Sequence, residues 1–82
     1  MSIPLMNRFK RFDVRPILAR GEEPFAAIWG KVDALKPGDG LLLVAPFLPS
    51  PLIEKLASEG FASKVERGNG SEWLVYFWRQ SE

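Results

Sequence analysis

The sequence predicts an α+β two-layer sandwich with elements in the order β-α-β-α-β-β, and three observations support this. Two segments, 22–35 and 51–59, repeat apolar residues at helical spacing. Two short segments, 41–45 and 73–78, are apolar on both faces, as is typical of central strands. The stretch 68–71 reads GNGS, a turn signal that predicts a hairpin between the last two strands.

The chain is expected to enter the sheet through a short strand over 10–14. Phe12 and Val14 alternate with polar residues there, and Pro16 ends the extended run. Residues 15–21 are predicted to form a loop.

The first helix is predicted over 22–35. Glu22 and Glu23 suit the positive end of the helix dipole, and Pro24 suits a first turn. Gly30 disfavours a helix interior, so we expect a close approach to the sheet at that position. The predicted apolar stripe comprises Phe25, Ile28, Trp29, Val32 and Leu35.

The second helix is predicted to begin with Ser50 as N-cap and Pro51 at the first helical position. Gly60 is expected to end it, because glycine readily adopts the left-handed conformation after a helix. Alternation over 61–66 predicts the third strand, and 73–78 is the last.

Chain connectivity fixes the predicted topology. Right-handed crossovers place strand two parallel to strand one and strand three parallel to strand two, with two helices on one face. The hairpin makes strand four antiparallel to strand three. Because the two fully apolar strands belong at the centre, we expect a four-stranded mixed sheet of order 1-2-4-3. Residues 1–9 are interpreted as an N-terminal tail and 10–82 as a single domain.

Composition excludes several chemistries. The chain has no Cys and no His, which removes thiol nucleophiles, thiolate and imidazole metal ligands and the commonest general base. No carboxylate cluster has a metal-ligand spacing, so we expect no metal, no cofactor and no catalytic residues. The sequence is therefore interpreted as a binding module and not as an enzyme.

The net charge of only +1 argues for neither a nucleic-acid nor a membrane partner, and we expect no partner of either kind. Residues 1–20 carry five basic side chains and one acidic, whereas 21–82 carry six basic and nine acidic. We interpret the basic segment as a solvated edge. No apolar run approaches the roughly 20 residues that span a bilayer, and no signal-peptide pattern is seen, so a cytoplasmic location is expected.

The sheet face without helices is the first candidate surface. Leu74, Tyr76 and Trp78 are expected to point to it, together with apolar residues of strand two. Those residues are either Leu42 and Val44 or Leu41 and Leu43. Exposed aromatic patches are typical of interfaces, so a homodimer or protein partner is predicted here. The alternative is that the tail covers this face.

The crevice at the carboxyl ends of strands one and two is the second candidate surface, because ligands of open α/β sheets prefer this place. Helix N-terminal amides and two arginines suggest a small anion. The alternative is that the glutamates cap their own helix. The predicted crevice residues are Arg15, Arg20, Gly21, Glu22, Glu23, Pro24, Pro46, Phe47 and Pro49.

Residues about 10–79 resemble the TusA-like (SirA-like) sulfur-carrier superfamily. The resemblance depends on the element order and on short motifs spread along the chain. These motifs are Phe12-Asp13-Val14-Arg15, Pro24, Leu35 with Pro37-Gly38, Leu41-Leu42-Leu43-Val44, Pro51-Leu52, Gly60-Phe61 and the aromatic last strand.

The carrier cysteine of that family is missing here. The family carries sulfur on a Cys-Pro-x-Pro motif, whereas this chain has Gly21-Glu22-Glu23-Pro24. Gly21 stands at the cysteine position, so persulfide chemistry is impossible there. The chain looks closer to Cys-less relatives, called a domain of unknown function, many of which carry a His in the second loop. This chain has Ala45-Pro46-Phe47-Leu48 instead.

Together these observations predict a non-enzymatic binding or protein-interaction module of the bacterial cytoplasm. The alternative function is a small-ligand or anion sensor that uses the crevice.

Overall fold

The computed structural model describes residues 3–79. The predicted tail and domain extend to residues 1–2 and 80–82, which lie outside the described residues. A short 3₁₀ turn over Met6–Arg8 precedes the first strand. The elements are β1 (Phe9–Asp13), α1 (Arg15–Ala19), α2 (Phe25–Asp33), β2 (Gly40–Ala45), α3 (Ser50–Ser58), β3 (Phe61–Arg67) and β4 (Trp73–Arg79).

The four strands form one mixed sheet of order β1-β2-β4-β3, as the sequence predicts. β1 pairs with β2 in parallel, from Phe9 opposite Gly40 to Asp13 opposite Val44. β4 is antiparallel to both of its neighbours, β2 and β3. The two strands that are apolar on both faces therefore lie at the centre.

The main core lies between one face of this sheet and the helices. Alternation along the strands turns Leu41 and Leu43 of β2, and Val75 and Phe77 of β4, to the same side. These side chains form one buried cluster with α2 and α3, so both helices cover the same face, as predicted. The helix residues in that cluster are Ile28, Val32, Leu52 and Leu56.

Residues 15–21 do not form the predicted loop, because 15–19 make the short helix α1. Pro16 suits its first turn, and the Asp13 carboxylate accepts a 3.0 Å hydrogen bond from the Arg15 backbone N–H. A helix of five residues is too short to show an apolar stripe in the sequence. Leu18 of α1 packs against the core cluster.

The predicted ends of the longer helices are partly wrong. α2 begins at Phe25 rather than at residue 22, and Glu23 lies just before it, where its Oε1 accepts a 2.8 Å hydrogen bond from the Phe25 backbone N–H. α3 begins at Ser50 with Pro49 as N-cap and no side-chain capping bond, so Ser50 is not the cap. Gly60 has a φ of +94° and ends α3 as predicted.

The explanation proposed for Gly30 from the sequence is wrong. A Cβ built at this position meets no atom within 4 Å, so no close approach to the sheet requires glycine there. Gly40 differs, because its Cβ would collide with the Phe9 ring and lie 2.8 Å from the carbonyl oxygen of Phe77. Glycine at position 40 therefore makes room for the aromatic ring of the neighbouring strand.

An ion pair joins the entry of β1 to the turn before β2. Arg8 donates from Nε to Asp39 Oδ1 at 2.6 Å, and its Nη2 lies 2.5 Å from the same oxygen. Asp39 is buried, whereas Arg8 is half exposed. The Arg8 hydrogen bond holds the pKa of the Asp39 carboxyl below its ordinary value, with a smaller contribution from Lys10.

Gly30→Ala should stabilise the domain by about 0.5–1 kcal/mol, because alanine favours a helix interior and the position is open. Gly40→Ala should destabilise it by about 1–3 kcal/mol through overpacking against Phe9. Chemical denaturation of both variants measures this difference. A loss of stability in Gly30→Ala would show that the position is crowded after all.

Asp39→Asn should lower the melting temperature at neutral pH, and the difference from the unsubstituted protein should narrow as the pH falls. The pKa of Asp39 is lowered in the folded state, so the stability it contributes is present above the unfolded aspartate pKa of about 3.9 and is lost as the pH falls through the folded value. Thermal melts at several pH values test this. The exposed Asp33→Asn is the control, and a gap independent of pH would contradict the prediction.

Candidate functional site

A cavity of about 500 Å³ lies at the carboxyl ends of β1 and β2, between the N-terminal ends of α2 and α3. It occupies the predicted crevice. Twelve of its fourteen lining residues are apolar or glycine. The lining residues are Val14, Leu18, Gly21, Glu22, Glu23, Pro24, Phe25, Ile28, Leu43, Ala45, Phe47, Pro49, Pro51 and Leu52.

The floor of the crevice is part of the domain core. Val14 directly follows β1, and Ala45 is the last residue of β2. Ile28 belongs to the first turn of α2, and Leu52 belongs to the first turn of α3. Each of these four side chains is buried. Because four different elements hold the floor, its shape is set by packing and not by a single loop.

The rim is stiffened by the local sequence. Gly21 has a φ of +75°, which lets the chain turn sharply between α1 and α2. Pro24, Pro49 and Pro51 fix the backbone where each helix begins. Phe25 and Phe47 stand at the opening with 44% and 54% of their surface exposed. The opening is therefore bordered by aromatic rings on a constrained backbone.

The structure brings together six of the nine residues predicted for the crevice. Gly21, Glu22, Glu23, Pro24, Phe47 and Pro49 line the cavity, whereas Arg15, Arg20 and Pro46 do not. Sequence reasoning missed the apolar floor, because its buried apolar residues have the same pattern as ordinary core residues. It missed Leu18 because α1 had been predicted as a loop. The apolar stripe of the first helix, which includes Phe25 and Ile28, is the sequence signal that could have indicated part of this apolar lining.

The two arginines of the predicted anion site are bound to carboxylates. Arg15 donates from Nη2 to Asp13 Oδ2 at 2.7 Å and from Nε to Oδ1 at 3.0 Å. This hydrogen bonding holds the pKa of the Asp13 carboxyl below its ordinary value. Arg20 donates from Nη2 to Glu22 Oε1 at 3.1 Å. Neither guanidinium lines the cavity.

Of the two glutamates, only Glu23 has the capping role that the sequence left open as an alternative. Glu23 accepts the hydrogen bond from the Phe25 backbone N–H, and Glu22 pairs with Arg20. Within residues 3–79, no group of three or more carboxylates could hold a metal ion.

The other candidate surface is the sheet face opposite α2 and α3, which we call the rear face. Its side chains come from alternate positions of all four strands, and the open choice for β2 is settled as Leu42 and Val44. The rear-face positions are Phe9, Arg11, Asp13, Gly40, Leu42, Val44, Ala62, Lys64, Glu66, Leu74, Tyr76 and Trp78.

The rear-face aromatics are not the exposed patch that the sequence suggested. Tyr76 is 7% exposed, Trp78 is 6% exposed and Leu74 is half-buried. The Phe9 ring packs edge-on against both aromatics, with centroid distances of 5.1 Å to Tyr76 and 6.3 Å to Trp78. An ion pair between Lys64 and Glu66 at 3.2 Å borders them on the other side. The rear face therefore resembles a small second core with a charged border.

The fold and the crevice define a small α+β domain with an apolar, ligand-sized cavity beside two parallel strand ends. Among residues 3–79, no helix is long and apolar enough to cross a membrane.

A family model described as "Uncharacterized conserved protein (DUF2249)" matches residues 11–79. The match covers more than half of the chain, so the chain belongs to this family. Searches of curated proteins and of solved structures gave no match. The resemblance to TusA-like sulfur carriers is not tested by these comparisons and stays a prediction.

Tyr76 should titrate above the ordinary tyrosine pKa of about 10. Burial disfavours the tyrosinate, and the Glu66 carboxylate, which accepts a hydrogen bond from the hydroxyl, repels it further. The pKa of Tyr76 is raised in the folded state. The stability that the neutral hydroxyl contributes is therefore fully present below the unfolded pKa and is lost as the pH rises through the folded value. Tyr76 is the chain's single tyrosine, so tyrosinate absorbance reports it directly.

The control is the same titration in denaturant, where the midpoint should return to its ordinary value. Glu66→Gln should move the folded midpoint part of the way down. A native midpoint at or below the denatured one would contradict the burial of this hydroxyl.

Proposed function

We propose that this domain is a non-enzymatic binding module that holds a small, mainly apolar molecule in the crevice. The cavity of about 500 Å³ at the strand ends carries the proposal. Small-molecule sites are typically concave, mostly apolar and about 300–1,000 Å³ in volume. The position agrees with the general preference of ligands for the carboxyl ends of parallel strands.

The packing of the floor supports a preformed site. Ile28, Leu43 and Leu52 come from three elements and are at most 3% exposed. Side chains that are already fixed lose little conformational entropy when a ligand arrives, which favours affinity. The prolines at the rim reduce the ordering cost of the backbone in the same way.

The exposed aromatic rings at the opening also support binding. Among residues 7–79, Phe25 and Phe47 have the most exposed large apolar side chains. An apolar ligand that enters the crevice would cover both rings and remove their apolar surface from water. The rings are thus placed to close over one end of the ligand.

The residue types at the crevice support binding rather than catalysis. The fourteen lining residues include no Ser, Thr, Lys or Tyr, and the chain as a whole has no Cys or His. Glu22 and Glu23 are the lining residues that could transfer a proton, and both already make other bonds. A nucleophile, a base and an oxyanion site cannot be assembled from this set.

Association through the rear face is the weaker candidate. It was suggested by Leu74, Tyr76 and Trp78, but the two aromatics are already buried in a single copy of the chain. A dimer or protein partner there would gain little additional apolar burial from them. We therefore propose the crevice as the recognition site, in a protein of the bacterial cytoplasm, for which the TusA-like resemblance and the cysteine-free composition are the support.

Phenylethanol, a neutral aromatic probe, should raise the melting temperature in a dose-dependent way. A ligand at 100 times its dissociation constant stabilises a protein by about 2.7 kcal/mol. Phe47→Ala should weaken binding about tenfold, because it removes an aromatic wall of the crevice. Thermal shift and isothermal titration calorimetry measure the two effects.

Leu48→Ala is the matched control. Leu48 is the next residue along the same loop, is 40% exposed and does not line the cavity, so its removal should leave affinity unchanged. The proposal fails if neither phenylethanol nor other neutral aryl and alkyl alcohols stabilise the protein. It also fails if Leu48→Ala weakens binding as much as Phe47→Ala does.

A further inference from the structure

We infer that the crevice selects ligands whose polar end is a protonated amine and excludes ligands that end in a carboxylate. This inference rests on the proposed function. It reverses the anion preference that the basic residues near the crevice suggest in the sequence.

The ionisable residues that line the cavity are both acidic. Glu22 and Glu23 stand at the rim beside an otherwise apolar lining. Glu22 is neutralised in part by Arg20, at 3.1 Å. Glu23 uses Oε1 for the Phe25 backbone N–H, and no ion pair to it is formed within residues 3–79. The net charge presented at the rim is therefore the negative charge of Glu23.

The nearby arginines cannot offset this charge without breaking bonds. Arg15 is held by both oxygens of Asp13, at 2.7 Å and 3.0 Å. Arg20 is held by Glu22, and both guanidinium groups lie outside the cavity lining. An anionic ligand head would have to compete with a carboxylate for either of them.

The helix N-termini that face the crevice have few amides to offer an anion. Anion recognition at a helix start needs unbonded N–H groups of the first turn. In α2, Pro24 has no N–H and that of Phe25 is bonded to Glu23.

In α3, Pro51 has no N–H, and the N–H groups of Ser50 and Ile53 are bonded to the carbonyl oxygens of Leu48 and Pro49. Some of the usual donors for a carboxylate are thus missing or engaged at each helix start.

The geometry therefore favours a ligand with an apolar body on the crevice floor and an ammonium group at Glu23. Opposite charges about 4 Å apart near a protein surface attract appreciably, and a carboxylate at the same place is repelled by a similar amount. With allowance for solvent screening, we expect an amine to bind about tenfold more tightly than the matched carboxylate.

The test is isothermal titration calorimetry with three probes that share one aromatic body: phenylethylamine, phenylethanol and phenylacetate. At neutral pH and low salt, the expected order of affinity is amine, then alcohol, then carboxylate. Glu23→Gln should bring the amine and carboxylate affinities together, because the amide still accepts the Phe25 N–H but has no charge. Glu59→Gln, at the opposite end of α3, should preserve the full difference.

The outcomes distinguish the charge selection by Glu23 from the proposal that the crevice binds an apolar ligand. Binding of phenylethanol with equal or tighter binding of phenylacetate than of phenylethylamine would overturn the charge selection and leave the apolar site standing. An amine preference that persists unchanged in Glu23→Gln would overturn the role of Glu23. Failure of all three probes to bind would count against the crevice as a ligand site and against its selectivity together.

Discussion

The antiparallel pairing of β2 with β4 is the constraint on which the rest of the structure depends. Both strands are apolar on both faces, and they pair from Gly40 opposite Trp78 to Ala45 opposite Trp73. Such strands lose their apolar burial at a sheet edge, so β1 and β3, which carry more polar side chains, take the edges. The order β1-β2-β4-β3 follows, and the parallel β1–β2 step requires a helix crossover.

The crevice is a consequence of that crossover. Parallel pairing brings the carboxyl ends of β1 and β2 to one edge, and the chain must leave both ends towards α2 and α3 on the same side. The connecting segments contain Gly21, Pro24 and Pro49, which bend or stiffen the backbone and keep the two helix starts apart. An apolar space remains where the core reaches the surface.

The two faces of the sheet differ in how they are completed. α2 and α3 cover one face, whereas on the rear face the Phe9 ring packs against Tyr76 and Trp78. Phe9 lies across Gly40, which has no side chain to obstruct it, and reaches Tyr76 and Trp78 two strands away. Aromatic rings that span neighbouring strands in this way bury apolar surface without another layer. For this reason we propose the crevice, and not the rear face, as the recognition site.

The sequence alone determined the order of the four strands and the two longer helices, their arrangement in the sheet and the place of the crevice. Hydrophobic periodicity predicts these elements, and topology rules convert their connectivity into a fold. The sequence did not reveal α1, a helix of five residues whose first backbone N–H donates a hydrogen bond to Asp13. It also misjudged which arginines are free near the crevice and how exposed the rear-face aromatic residues are. Whether Arg15 is free or bound to Asp13, and whether Trp78 is open or covered by Phe9, depends on contacts between side chains. Only the tertiary structure decides these contacts, because they require known distances between atoms, which residue types and spacing do not contain.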